Sequence, residues 1–194
     1  MRLSGGMPRN LVRGRAGFTI IELMIVVTIM GVLMAIGLPA FDDLIQNSRR
    51  TTVVNELISN LMLARAEAAK RGQPATVCGN TSSGGVSCTG GATWDYGWMV
   101  FLDPDANGAI AATGDMLRRF VNDYSDIRVR TYTGGTGFLT LQPFNQAGTS
   151  GVVLICDKRG DAKSRRICVG SNGRANVSEG TCPSGEPTPA LTCP

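Results

Sequence analysis

A long run of apolar residues lies near the start of the chain and defines its first predicted element. From Phe18 to Phe41 there are 24 residues, and Glu22 is the only one that carries a charge. A helix of that length extends about 36 Å at 1.5 Å per residue, which exceeds the roughly 30 Å of a bilayer core. The pattern therefore predicts a helix that spans a membrane.

Beyond this run, apolar residues recur every three or four positions, which is typical of a helix with one buried face. These positions are Leu44, Ile45, Val54, Leu57, Ile58, Leu61, Ala64 and Ala68. Lys70 and Arg71 followed by Gly72 are residues that end helices. We predict one helix from about Thr19 to Arg71, loosened or kinked at Pro39, whose second half packs against a sheet.

After Gly72 the pattern changes to short apolar segments separated by glycine- and asparagine-rich turns, which indicates β-strands. Ser171-Asn172-Gly173 is typical of a hairpin turn. We expect an α+β fold in which the long N-terminal helix packs on an antiparallel, twisted sheet or sandwich. The β-rich head comprises residues 72–194, with an irregular tail beyond Ser178. The predicted strands are Ala75–Cys78, Trp98–Leu102, Leu117–Val121, Ile127–Tyr132, Phe138–Leu141, Val152–Cys156, Ile167–Val169 and Ala175–Val177.

Residues 1–17 precede the apolar run and contain four arginines but no acidic residue. By the positive-inside rule this leader stays in the cytoplasm, and the C-terminal part of the chain crosses the membrane. The run exceeds the roughly 7–15 apolar residues of an ordinary signal peptide, and no small-residue cleavage site closes it. A plain anchor does not explain Glu22, because an acid at that depth costs about 2.5–3.5 kcal/mol.

The stretch Gly17-Phe18-Thr19-Ile20-Ile21-Glu22-Leu23 resembles the class III signal of type IV pilins and type II secretion pseudopilins. In that family a prepilin peptidase cuts after the glycine on the cytoplasmic side and methylates the new N-terminal phenylalanine. The resemblance implies cleavage between Gly17 and Phe18, so that Glu22 becomes the fifth residue of the mature chain. It also implies that Glu22 pairs with the α-amine of a neighbouring subunit, since a buried carboxylate needs a cationic partner.

Motifs in the second half of the chain are similar to those of the GspH/FimT group, which contains minor pilins and minor pseudopilins. They are Gly97-Trp98-Met99-Val100-Phe101 followed by Asp103-Pro104-Asp105, then Cys156-Asp157-Lys158-Arg159-Gly160, and then Gly173-Arg174. The resemblance implies a minor pilin that primes or caps a type IV pilus. A minor pseudopilin of a type II secretion system is the alternative, because both share the N-terminal machinery.

That resemblance also implies partners and a location. The partners are other major and minor pilins, the prepilin peptidase and, before assembly, the bacterial inner membrane. The chain crosses that membrane once through residues 18–41, with its head in the periplasm, and later joins a filament. Residues 18–71 then form the helix of the mature chain, and residues 18–41 form the filament core.

Charge and residue content argue against an enzyme and against a general affinity for nucleic acid. The formal charge of +4 comes from the leader, and from Phe18 onward there are 15 basic and 15 acidic residues. The chain has no histidine, which removes the commonest general base and every nucleophile that depends on one. We predict no catalytic residues and no cofactor.

Six cysteines lie beyond the apolar run, at Cys78, Cys88, Cys156, Cys168, Cys182 and Cys193. An even number on the exported side predicts disulfides formed in an oxidising periplasm. Many pairings are possible, and we predict that neighbours in sequence pair, as Cys78–Cys88, Cys156–Cys168 and Cys182–Cys193. No metal site is predicted, because the chain has neither histidine nor a C-x-x-C pair.

Six basic residues fall within 17 positions and form a candidate DNA-binding surface: Lys158, Arg159, Lys163, Arg165, Arg166 and Arg174. Contact with backbone phosphates requires only such a cluster, although a hairpin can carry the same residues as a solvated face. Minor pilins of the FimT type are implicated in DNA uptake through a Gly-Arg-x-Arg motif. The matching residues are Gly173-Arg174-Ala175-Asn176, so the second arginine is missing. Double-stranded DNA is thus a further candidate partner.

Asp103, Asp105 and Asn107 begin like a calcium-binding loop of the EF-hand type. Gly114 stands where such a loop needs a bidentate glutamate, so a proline-assisted turn is the better interpretation.

Three aromatic residues, Trp94, Tyr96 and Trp98, are close together in the sequence. They can form a stacking platform for single-stranded nucleic acid. We instead predict that they are core and rim residues of the sheet.

Overall fold

The computed structural model describes residues 17–85, 87–88, 90–111, 113–145, 148–182 and 191–194. The leader up to residue 16 and the proline-rich part of the tail, residues 183–190, lie outside the described residues. The chain divides into two units, residues 1–43 and residues 44–194.

One helix, α1 (Ile20–Arg71), runs through 52 residues and continues past Pro39. It ends where the pattern predicts, with Lys70 and Arg71 in its last turn. Gly72 follows at φ 66°, a left-handed conformation that glycine adopts without strain. The predicted helix is confirmed to within one residue at its start.

In the first unit, the described side chains from residue 17 to residue 43 are all exposed. The most apolar window of 18 residues in α1 has a mean hydropathy of 2.5, and none of it is buried. By length and composition this helix can cross a membrane.

The described residues of the second unit contain the rest of α1 and eight strands: β1 (Ala75–Gly79), β2 (Gly97–Leu102), β3 (Met116–Val121), β4 (Arg128–Tyr132), β5 (Phe138–Leu141), β6 (Gly151–Cys156), β7 (Arg165–Val169) and β8 (Ala175–Ser178). They form two four-stranded sheets, ordered β3-β2-β1-β5 and β4-β6-β7-β8. All neighbouring strands are antiparallel. The eight predicted strands are confirmed, and their bounds agree with the prediction to within two residues.

The core of this unit lies between α1 and the two sheets. Helix residues such as Val53, Leu57 and Leu61 belong to the same buried cluster as Val77 and Val153, one residue from each sheet. Apolar side chains at helical spacing therefore cover the inner faces of both sheets, which explains the single apolar stripe of the second half of α1.

All six cysteines are in disulfides, but two of the three predicted pairings are wrong. Cys78 pairs with Cys88 as predicted, whereas Cys156 is bonded to Cys193 and Cys168 to Cys182. Cys168 lies opposite Val152 in the antiparallel register, four residues along β6 from Cys156. That separation is about 13 Å, roughly twice the usual distance between the Cα atoms of a disulfide. Cys156 and Cys168 therefore bond to the C-terminal segment instead of to each other.

Candidate functional site

The start of α1 holds the predicted processing residues. Gly17 and Phe18 precede the helix and both are exposed. A Cβ placed on Gly17 would meet no atom of the described chain within 4 Å.

Glu22 is held by a reciprocal capping arrangement with Thr19. The backbone amide of Glu22 donates a hydrogen bond of 3.3 Å to Thr19 Oγ1, and the amide of Thr19 donates one of 3.5 Å to Glu22 Oε2. This arrangement satisfies two of the free amides at the start of the helix, and the helix dipole favours an anion there. The carboxylate is therefore turned back towards Phe18, where it can accept hydrogen bonds from a cation.

The six basic residues of the candidate DNA surface do not form one patch. Arg159 donates to Asp157 at 2.6 Å and to Asn47 at 2.9 Å. Arg165 pairs with Glu179 at 2.6 Å. Arg166 donates to the carbonyl oxygens of residues 180 and 191, at 2.6 and 3.2 Å. These three guanidinium groups join parts of the head to one another.

The other three members, Lys158, Lys163 and Arg174, are exposed. Lys158 and Lys163 lie before β7, whereas Arg174 follows the turn that connects β7 to β8. The length of β7, about 13 Å, therefore separates the two lysines from Arg174.

A groove of about 220 Å³ brings Arg174 together with a residue that sequence reasoning missed. Arg65 of α1 lines the groove opposite the β7–β8 turn, and Leu61 and Met62 supply apolar walls. A Cβ on Gly173 would lie 3.9 Å from Cδ of Arg65, so the turn closely approaches the helix. Arg65 is more than 100 positions from Arg174 in the sequence, and no local pattern links them.

A buried ion pair connects α1 to the segment after β6. Nη1 of Arg50 lies 3.1 Å from Oδ2 of Asp157, with the two side chains 4% and 0% exposed. The same guanidinium donates to the carbonyl oxygen of Lys163. Burial alone would raise the pKa of Asp157, but hydrogen bonds from Arg159 and the charges of Arg159 and Arg50 outweigh it and lower that pKa.

A second polar contact lies one turn earlier on α1. Gln46 and Arg49 both donate to Oδ2 of Asp126, at 2.7 and 2.8 Å. Burial acts to raise the pKa of Asp126, but the two hydrogen bonds outweigh it and the pKa is lowered. Two carboxylates of the head are thus held by side chains of one helix.

Comparison with known proteins identifies the family. Residues 53–173, more than half of the chain, match the family described as type II transport protein GspH. The chain belongs to the GspH family. Residues 12–38 also match the prokaryotic N-terminal methylation motif. The region that contains Gly17, Phe18 and Glu22 is therefore that of a type IV pilin-family protein.

Curated relatives of this GspH-family chain are fimbrial subunits. Fimbrial protein Q of Moraxella bovis is 61% identical over 41 residues, which are 21% of this chain and 26% of that protein. The type IV major fimbrial protein FimA of Dichelobacter nodosus is 36% identical over 111 residues, 50% of this chain and 69% of that protein. The chain spans about a quarter of the length of the first curated relatives that it matches.

A solved structure shares the fold of the GspH-family chain. The type IV minor pilin FimU of Pseudomonas aeruginosa superposes with a TM-score of 0.52 and 18% identity, over 69% of this chain and 90% of that one. The predicted pilin fold, a long N-terminal helix packed on antiparallel sheets, is confirmed.

The calcium-like motif of the GspH-family head is a closed turn. Asp103 is fully buried, and its carboxylate accepts hydrogen bonds from Thr76 Oγ1 and from the backbone amides of Asn107 and Gly108. Among the described residues, no group of three or more metal-ligating side chains can hold an ion.

The aromatic residues near β2 are core and rim residues, as predicted. Trp94 and Trp98 are fully buried, and Trp98 stacks on Phe120 with ring centroids 4.4 Å apart. Tyr96 between them is 54% exposed. The two indoles are therefore closed to bases, and one tyrosine ring remains accessible.

Proposed function

We propose that this protein is a minor pilin, a structural and assembly subunit of a type IV pilus, rather than an enzyme. The observation that supports this most is the exposed apolar first part of α1, up to Phe41, in which Glu22 is the only charged side chain. Such a helix requires apolar surroundings, first the inner membrane and then the core of a filament. The GspH-family head, which stays polar outside, then faces outward on the filament and in the periplasm before assembly.

In this proposal Glu22 selects its neighbours by charge. A carboxylate in an apolar filament core is costly unless a cation pairs with it. The cation is the α-amine that cleavage creates on Phe18 of an adjacent subunit. The cap with Thr19 supports this role, because it turns the carboxylate towards the helix start.

The first step of the proposed role is cleavage and methylation by a prepilin peptidase, which mass spectrometry can test. In cells that contain the peptidase, intact mass should show loss of residues 1–17 and the gain of one methyl group on Phe18. Gly17→Val should block both changes, whereas Gly14→Val, a matched glycine substitution in the leader, should leave them intact. A wild-type chain that keeps its leader in the presence of the peptidase would contradict the proposal.

A minor pseudopilin of a type II secretion system is the nearest alternative, since the matched family carries that description. Deletion of the gene separates the two roles. If the protein is a minor pilin of the priming or tip complex, the deletion should decrease the number of surface pili while protein secretion stays normal. Loss of secretion with normal pili would assign the protein to the secretion system instead.

DNA capture for uptake is a second candidate function, and the groove between Arg65 and Arg174 favours it. The family motif has a second arginine where this chain has Asn176, and Arg65 supplies a guanidinium to the same groove from α1. Two cations on one groove suit the phosphates of a duplex. DNA capture would be a further role of the proposed minor pilin, with duplex DNA as its ligand.

Fluorescence anisotropy of a labelled duplex with the full chain in micelles tests this candidate. Affinity should fall steeply with salt, and Arg65→Ala or Arg174→Ala should each reduce the salt slope by about one. Lys163→Ala is the matched control, because Lys163 lies at the other end of β7, and it should bind like the wild type. Absence of binding at low salt would remove the DNA role.

A further inference from the structure

A cleft of about 400 Å³ lies in the head beside the start of β2, and neither Glu22 nor the groove of Arg65 and Arg174 contributes to it. Its walls carry two tyrosine rings, hydroxyl groups, a carboxylate and a guanidinium, from Tyr96, Tyr124, Thr81, Thr93, Asp123 and Arg128. Its volume is within the roughly 300–1,000 Å³ typical of small-molecule sites. All of these residues belong to the second unit.

Tyr96 is presented by a turn that the backbone holds rigidly. Gly97 follows at φ 99°, and a Cβ there would lie 2.2 Å from the carbonyl oxygen of Phe120. The amide of Gly97 donates to the carbonyl oxygen of Trp94 at 2.9 Å, and the carbonyl oxygen of Tyr96 accepts from the backbone amide of Asn122 at 3.2 Å. An aromatic side chain that is 54% exposed thus projects from a fixed backbone.

The segment from Asn122 to Tyr124, which also lines the cleft, is held by side-chain hydrogen bonds. The side-chain amide of Asn122 donates to the carbonyl oxygens of Asp95 and Ile127, at 3.0 and 3.2 Å, and accepts from the amide of Tyr124 at 3.3 Å. The guanidinium of Arg49 lies 5.6 Å from the centre of the Tyr124 ring. Arg49 therefore occupies one face of Tyr124, and Tyr96 is the exposed platform.

The charges around the cleft largely cancel. Asp95, which also lines it, is 2.6 Å from Arg130 and 3.9 Å from Arg128. Asp123 is exposed, and its carboxylate can accept hydrogen bonds from two hydroxyl groups. The cleft therefore offers an aromatic face, a carboxylate, a guanidinium and hydroxyls with little net charge.

We propose that this cleft binds a neutral saccharide residue. One face of a pyranose ring presents C–H groups and suits the apolar face of an aromatic ring such as Tyr96. Vicinal hydroxyls of the sugar donate to Asp123 and accept from Arg128. A cationic side chain of a protein partner is the competing ligand, since Asp95 and Asp123 are both acidic, but Arg128 and Arg130 offset that charge.

Saturation-transfer NMR on the full chain tests this proposal, in micelles of an amine-oxide detergent that has no sugar headgroup. The probes are maltotriose, cellotriose and triacetylchitotriose, with trilysine as a cationic probe. At least one trisaccharide should receive saturation at millimolar concentration. Tyr96→Ala should weaken its binding about tenfold, the loss expected for one aromatic contact.

Tyr132→Ala is the matched control, because Tyr132 is 41% exposed on β4 and does not line the cleft. It should bind the sugar like the wild type, and both variants should keep the near-ultraviolet circular dichroism of the folded head. Asp123→Asn should also weaken binding. The proposal is overturned if no trisaccharide binds, if Tyr96→Ala binds normally, or if only trilysine binds and Asp123→Asn abolishes that binding.

Discussion

The carboxylate of Asp157 and the guanidinium of Arg50 form an ion pair of 3.1 Å that is almost fully withdrawn from solvent. The pair joins the second half of α1 to the segment between β6 and β7. Removal of one partner from a buried pair is costly because the other charge remains buried. The pair therefore fixes α1 to the sheets of the head.

Asp157→Ala should lower the free energy of unfolding of the head by about 3 kcal/mol or more, since Arg50 and Arg159 both lose their carboxylate partner. Urea unfolding of the full chain in micelles can measure this through fluorescence of the two buried tryptophans. Glu179→Ala is the matched control. It removes the exposed partner of Arg165 and should cost less than about 1 kcal/mol. Equal effects of the two variants would contradict the role of the buried pair.

The free energy of unfolding of the head should decrease as the pH falls into the acidic range. The pKa values of Asp157 and Asp126 are lowered in the folded head, so the unfolded chain binds more protons. The stabilisation is present above the unfolded pKa of about 3.9 and is lost as the pH falls through the lower folded values. Thermal unfolding from pH 7 to pH 2 measures this. A melting temperature that stays constant below about pH 4 would contradict it.

The C-terminal segment should be tied to the second sheet by two disulfides. Peptide mapping without reduction should recover Cys156 linked to Cys193 and Cys168 linked to Cys182. Replacing Cys156 and Cys193 together by serine should lower the free energy of unfolding by about 4 kcal/mol, because that bond closes the longest loop. Recovery of a Cys156–Cys168 peptide would show that the register of β6 and β7 differs.

The sequence predicts elements of this fold better than it predicts contacts between them. Periodicity of three and four residues defined α1, and short apolar segments between turns defined all eight strands. The disulfide pairing depends on the register of β6 against β7, which places Cys168 opposite Val152. No local pattern carries that information, so two of the three pairings predicted from sequence neighbours were wrong.

Some residues of the candidate site can likewise be predicted from the sequence, whereas others are brought together only by the fold. The motif around Glu22 is local, and its residues can be recognised along the chain. Arg65 reaches the groove of Arg174 only because α1 and the β7–β8 turn meet in the folded head. Similarly, Arg165 and Arg166 are basic in the sequence, but the fold directs them to Glu179 and to backbone carbonyl oxygens.

The most direct test of the account is the amount of Glu22→Ala in pili sheared from cells, measured by quantitative mass spectrometry of the mature N-terminal peptide. Processing at Phe18 should be normal, and the variant should be lost from the filament, because the amine of the neighbouring subunit has no partner. Glu56→Ala, which removes an acid from the head portion of the same helix, should be incorporated like the wild type. Normal recovery of Glu22→Ala in sheared pili would contradict the pairing of Glu22 with Phe18 and the assembly role built on it.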